Sequence, residues 1–134
     1  MRNADSAIAT LVVLAILWSA TAPVAGGAIG AGEWIVVRIT GRPASADAGT
    51  LRFENDRVSG KAACNRFLAR LASGPSGGRL ELGTIGATRM HCEGRMETER
   101  ALLDALAAVR TYRLDADVLL LQDAEGKPLV TLSR

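Results

Sequence analysis

The sequence predicts a mainly β domain of the α+β class: a small antiparallel, barrel-like or strongly curled sheet with one amphipathic helix packed across it. Three observations predict it. Short segments of alternating or β-branched residues recur between turn signals from Trp34 to the C-terminus. Only one stretch, from about Gly94 to Val109, carries helical spacing. Residues 33–134 number 102, enough for one modest core and too few for a multidomain enzyme, so a covalent staple is expected.

The chain of 134 residues is 49% hydrophobic, but the share is uneven: residues 1–32 hold 20 apolar positions, against 45 in residues 33–134. Met1–Ser6 carries the amino terminus and Arg2 against Asp5. Ala7–Trp18 follows with Thr10 as its only polar member, and Ser19–Gly27 is small and flexible. This is the pattern of a secretory signal, placed at residues 1–28 with cleavage expected between Ala22 and Ala31. An uncleaved anchor is the alternative, because Ala7–Ala31 is uncharged and long enough to span a bilayer. Its second half, however, is Ala, Gly and Thr rather than Leu or Val, which weakens insertion. No cysteine precedes Cys64, so a lipobox is excluded. The expected product is periplasmic or secreted, in an oxidising compartment, with membrane contact only through the leader if it is retained.

In the body, residues 33–134, Trp34–Thr40 is β-branched and ends at Gly41, Arg42 and Pro43, a strand followed by a loop. Thr50–Glu54 alternates, turns at Asn55 and Asp56, and resumes as Arg57–Gly60, a hairpin with Phe53 and Val58 facing the core. Ser73–Gly78 reads as a mobile connection before an alternating segment at Arg79–Leu82. The helix places Met96, Leu102, Leu103, Leu106 and Val109 at helical spacing, with Glu93 and Glu97 near its start and Arg110 at its end, as the macrodipole prefers. Thr111–Leu114, Val118–Gln122 and Leu129–Leu132 are three further strands, separated by turns at residues 115–117 and 123–126.

Lys+Arg 16 against Asp+Glu 14 leaves a net charge of +2, spread among interspersed charges, so no basic stripe is expected and nucleic acid is not the expected partner. Cys64 and Cys92 are the only two cysteines. In an exported chain they are read first as a disulfide closing a loop of about 29 residues, for which chain entropy gives about 3.6 kcal/mol. A metal pair or a catalytic thiol is the alternative. The sole histidine, His91, stands beside Cys92 with no further ligand at zinc spacing and no orienting group for a nucleophile, so it is read as a surface or edge residue. No metal or cofactor is expected, nor any hydrolase elbow, phosphate-cradling glycine loop or dinucleotide fingerprint. Glu99 precedes Leu102, Leu103 and Leu106 by three, four and seven residues, which puts it on the inward stripe. A carboxylate there needs a partner, and Arg66, Arg89, Asn65 or Thr88 are the candidates. Either the cluster grips a ligand, or it is a buried network that holds helix to sheet, the reading favoured because buried polar groups are usually satisfied internally.

The blocks Gly60, Cys64, Asn65, Arg66, Phe67 and Thr88, Arg89, Met90, Cys92, followed by a helix with Glu99, resemble the META domain family, from Trp34 to about Leu132. The resemblance implies a compact β-barrel-like sheet with a helix packed across it, an association with envelope stress tolerance and no established reaction. These residues therefore transfer as motif positions, with no catalytic residue among them. The chain departs from the family at Ala63, where Gly is common before the Cys-Asn pair, and at Ala69 and Leu71, in place of Gly and an aromatic. The leading expectation is a non-enzymatic envelope protein that binds a small ligand or a partner protein. A structural or chaperone-like subunit docking on an envelope complex is the alternative, and a thiol-dependent enzyme comes last.

Overall fold

A computed structural model describes residues 29–134, so the leader at 1–28 lies outside the described residues. The strands are β1 (Glu33–Ile39), β2 (Arg42–Pro43), β3 (Gly49–Glu54), β4 (Arg57–Ala62), β5 (Asn65–Ser76), β6 (Arg79–Ala87), β7 (Thr111–Asp115), β8 (Val118–Gln122) and β9 (Pro128–Ser133), with one helix, α1 (Met96–Ala108), between β6 and β7. All pairings are antiparallel. Sheet order is β2-β1-β3-β4-β5-β6-β7-β8-β9, and β1 also pairs with β9, which closes the sheet into a ring. The ring is not an even barrel: β5 and β6 form a long, bulged hairpin, whereas β6 meets β7 at the single pair Arg79↔Thr111. Two backbone bonds flank that seam, Leu80 N–H to Arg110 O at 3.1 Å and Tyr112 N–H to Gly78 O at 3.0 Å. The mainly β, curled-sheet class predicted above is the class observed.

Alternation sets the two sides of the ring. Leu51 and Phe53 on β3 and Val58 on β4 point inward, as expected, while Arg52, Glu54 and Arg57 between them stay exposed. α1 packs against β1, β4, β6 and β9, strands from different sides of the ring, and so lies across one mouth of it. Leu102, Ala105 and Leu106 are its buried apolar contribution, and Leu102 and Leu106 at full burial are each worth about 1.5–3 kcal/mol. They join Trp34, Leu51, Leu80, Leu119, Leu121 and Leu132, all 0% exposed, in one core cluster. The Arg134 guanidinium lies 4.5 Å over the Trp34 ring, where the closing strands meet.

Two segments differ from expectation. Ser73–Gly78 is ordered rather than a mobile connection: β5 continues to Ser76, which pairs with Arg79, and only Gly77 and Gly78 turn, both with positive φ as a tight primed hairpin requires. Gly74 permits this, since a Cβ there would overlap the Arg79 carbonyl oxygen. The Asn-Arg-Phe part of the motif block, directly after Cys64, opens β5, a strand that the alternation of Asn65, Phe67 and Ala69 inward with Arg66, Leu68 and Arg70 outward supports. Arg42–Pro43, expected in a loop, pairs back onto β1 after a turn at Thr40 and Gly41, both at positive φ. Among the described residues no helix is long and apolar enough to cross a membrane.

Candidate functional site

The polar cluster lies where β4 turns into β5. Ala62 pairs with Asn65, so Ala63 and Cys64 make a two-residue turn. Ala63 has φ +54, a conformation Gly adopts without the Cβ penalty, so the turn geometry itself accounts for Gly at the first turn position. Cys64 is disulfide-bonded to Cys92 with Cα atoms 6.4 Å apart, within the span a disulfide bridges. The expected staple is present. It occupies both sulfurs, so Cys92 offers no thiol beside His91, which is exposed. Among the described residues no three His, Cys, Asp or Glu side chains are grouped to hold a metal.

The next residue, Asn65, turns inward and is 0% exposed. Its Oδ1 accepts from the Thr88 hydroxyl at 2.8 Å and from the Met90 N–H at 2.7 Å. Its Nδ2 donates to the Met90 carbonyl at 2.9 Å and to Glu99 Oε1 at 3.0 Å. The amide thereby uses its full capacity of two donors and two acceptors, and it pairs with Met90 as another peptide group would. The Thr88 hydroxyl also accepts from the Arg66 N–H at 3.0 Å, and the Thr88 N–H donates to the Arg66 carbonyl at 2.9 Å, extending the β5–β6 ladder into the loop. The loop then reaches α1 through Arg95 N–H to Cys92 O at 3.1 Å and Glu99 N–H to Arg95 O at 3.1 Å. Arg95 also pairs with Asp47, which ties the helix start to the β2–β3 connection.

Glu99 is 8% exposed, on the inward stripe as its spacing predicts. Its partner is Asn65, not Arg66 or Arg89, both of which are exposed. β5 alternates, so Arg66 must face away from Asn65. Thr88 contributes one bond removed, through Asn65. Glu99 Oε2 is buried without a hydrogen-bond partner. Phe67, 3% exposed, is core, and Met90 contributes its backbone while its side chain is 55% exposed. Gly60 is where β4 closes on β3: a Cβ there would overlap the Thr50 carbonyl oxygen, so only Gly fits. The motif positions thus divide into an interlocked set (Gly60, Cys64, Asn65, Phe67, Thr88, Cys92 and Glu99) and exposed side chains (Arg66, Arg89 and Met90).

The same fold also forms a depression of about 530 Å³ on the outside of the ring, lined by Glu33, Thr50, Arg52, Ser59, Gly60, Lys61, Arg66 and Phe67. Arg52, Ser59 and Lys61 were not singled out from the sequence. The signal that finds them is strand phase, since Arg52, Arg57, Lys61, Arg66 and Arg70 all stand at outward positions of three successive strands. Charges interspersed along the chain are therefore gathered on one face by register.

The family model of the META domain matches residues 27–134. The chain belongs to the META domain family. Solved structures similar to this chain include a protein from Burkholderia xenovorans determined by NMR. It has 25% identity and TM-score 0.60, with 76% of this chain and 80% of that chain covered. A second NMR structure has 24% identity and TM-score 0.57, covering 75% and 86%. A DUF4847 family protein from Bacteroides vulgatus, at 13% identity and TM-score 0.59 over 77% and 92% of the two chains, shares the fold. No curated protein matches the chain.

Proposed function

We propose that this META domain protein is an exported, non-enzymatic envelope protein that binds a ligand or partner protein of the envelope on the outside of its ring. The observation that carries this reading is the filled interior. The helix and sheet enclose one cluster of fully buried side chains, and Asn65, the most buried polar group of the motif, makes all four of its bonds within the chain. A carrier of small ligands needs a concave, largely preformed cavity, whereas a docking protein needs only surface. The leader supports export, the Cys64–Cys92 disulfide is compatible with an oxidising compartment, and the family association supports a role in envelope stress tolerance.

The test is native mass spectrometry of the protein recovered from a periplasmic fraction. A chain beginning between Ala22 and Ala31, with one disulfide and no bound small molecule, is expected. A co-purifying small molecule released only on denaturation overturns the surface reading, and retention in the cytoplasm overturns export.

A further inference from the structure

The outer depression on β3, β4 and β5 joins three cations, Arg52, Lys61 and Arg66, and the fold itself uses neither the Lys61 nor the Arg66 side chain. In the antiparallel register Lys61 stands directly opposite Arg66, and Thr50 stands opposite Lys61 on its other side. Like charges directly opposite each other weaken a sheet. Among the described residues neither the Lys61 nor the Arg66 side chain makes an ion pair or hydrogen bond. One row along, about 7 Å away at two residues per row, Arg52 stands opposite Ser59, and its one ion-pair contact is with the exposed Glu54 at 3.9 Å. Glu33, opposite Arg52 on β1, places the only carboxylate at the far edge of the depression, away from Lys61 and Arg66. Gly60 lies in the lining between Ser59 and Lys61.

We infer that this depression is a binding site for a phosphate-class dianion, held between Lys61 and Arg66 with Arg52 at its second row. The inference rests on the reading that the outer surface carries the function, and it supplies the chemistry recognised there. A tetrahedral oxyanion with two charges and several acceptor oxygens matches two guanidinium groups, an ammonium and the neighbouring hydroxyls of Thr50 and Ser59. A single carboxylate occupies one Arg and leaves the others unmatched. An anion between Lys61 and Arg66 also removes the repulsion that the empty pair carries. The phosphate has two sources, a free phosphate compound or the headgroup of a lipid.

Calorimetry with inorganic phosphate and co-sedimentation with phosphatidylcholine vesicles containing phosphatidic acid distinguish them, using the protein recovered from the cells that export it. Binding in either assay is expected, with the dissociation constant raised about tenfold or more in the double variant Lys61→Gln/Arg66→Gln. The double variant Arg113→Gln/Lys127→Gln, with the same net charge but cations outside the depression, should bind as the parent does. The melting temperature of Lys61→Gln/Arg66→Gln should be unchanged or raised, because a like-charge pair has gone. No binding to either probe overturns the site and leaves surface docking of another partner standing. Equal loss in both double variants overturns it as well, because the attraction would then be nonspecific.

Discussion

Asn65 and Arg66 are neighbours on β5 and live in opposite worlds. Asn65 is fully buried and satisfied by four hydrogen bonds that join three elements, β5, the loop at residues 88–95 and α1. Arg66 is exposed, and only its backbone takes part in the same network. Period-two alternation makes this division unavoidable: one strand serves the core with every second residue and the solvent with the others. A sequence block of adjacent residues can therefore hold two unrelated constraints, one on folding and one on recognition. Substitutions separate them, because the inward set should change stability and the outward set should not.

The largest effect is expected for Asn65→Leu. It fills the space but leaves the Met90 N–H and carbonyl and the Glu99 carboxylate without their partner, a loss of about 4 kcal/mol in chemical denaturation. A loss below about 1 kcal/mol would show that the cluster is not a stabilising network. Removing the disulfide with Cys64→Ser/Cys92→Ser should cost about 3.6 kcal/mol on the loop-entropy account, read from the same denaturation curves. Gly60→Ala tests the closeness of β3 and β4. The new methyl group has to displace the Thr50 carbonyl, and about 2–3 kcal/mol is expected. Smallest is Lys61→Gln, an outward change expected to move stability by no more than about 0.5 kcal/mol in either direction. A large loss there would erase the distinction between the two faces.

Much of this was legible along the chain. The Asn55–Asp56 turn, the helix and the three C-terminal strands follow from local alternation, turn residues and helical period, signals that need only a few neighbouring residues. Glu99 was legible as an inward carboxylate from helical spacing alone. Its partner was not: four side chains met the chemical requirement, and only the phase of β5 decides that Asn65 points in and Arg66 out. The Ser73–Gly78 segment misled because its Gly, Ser and Pro content marks a loop, while pairing with β6 holds it as strand. The basic face was hidden for a related reason. Net charge sums over the chain, whereas a binding surface depends on which charges the register puts side by side.

The amino-acid sequence by itself determined the mainly β class, the place of the helix among the described residues and membership of a family recognisable from two short blocks, and it favoured the cysteine pair as a staple, which the structure then showed. Those properties depend on local period and on residue identity. Tertiary structure alone decided that β1 meets β9 to close the ring, that α1 lies across its mouth and that the interior is filled. It also decided that Asn65 bonds Glu99 while Lys61 faces Arg66. Each of these joins residues distant in the chain or depends on strand register, and register is fixed only when the strands have found one another and buried their apolar faces.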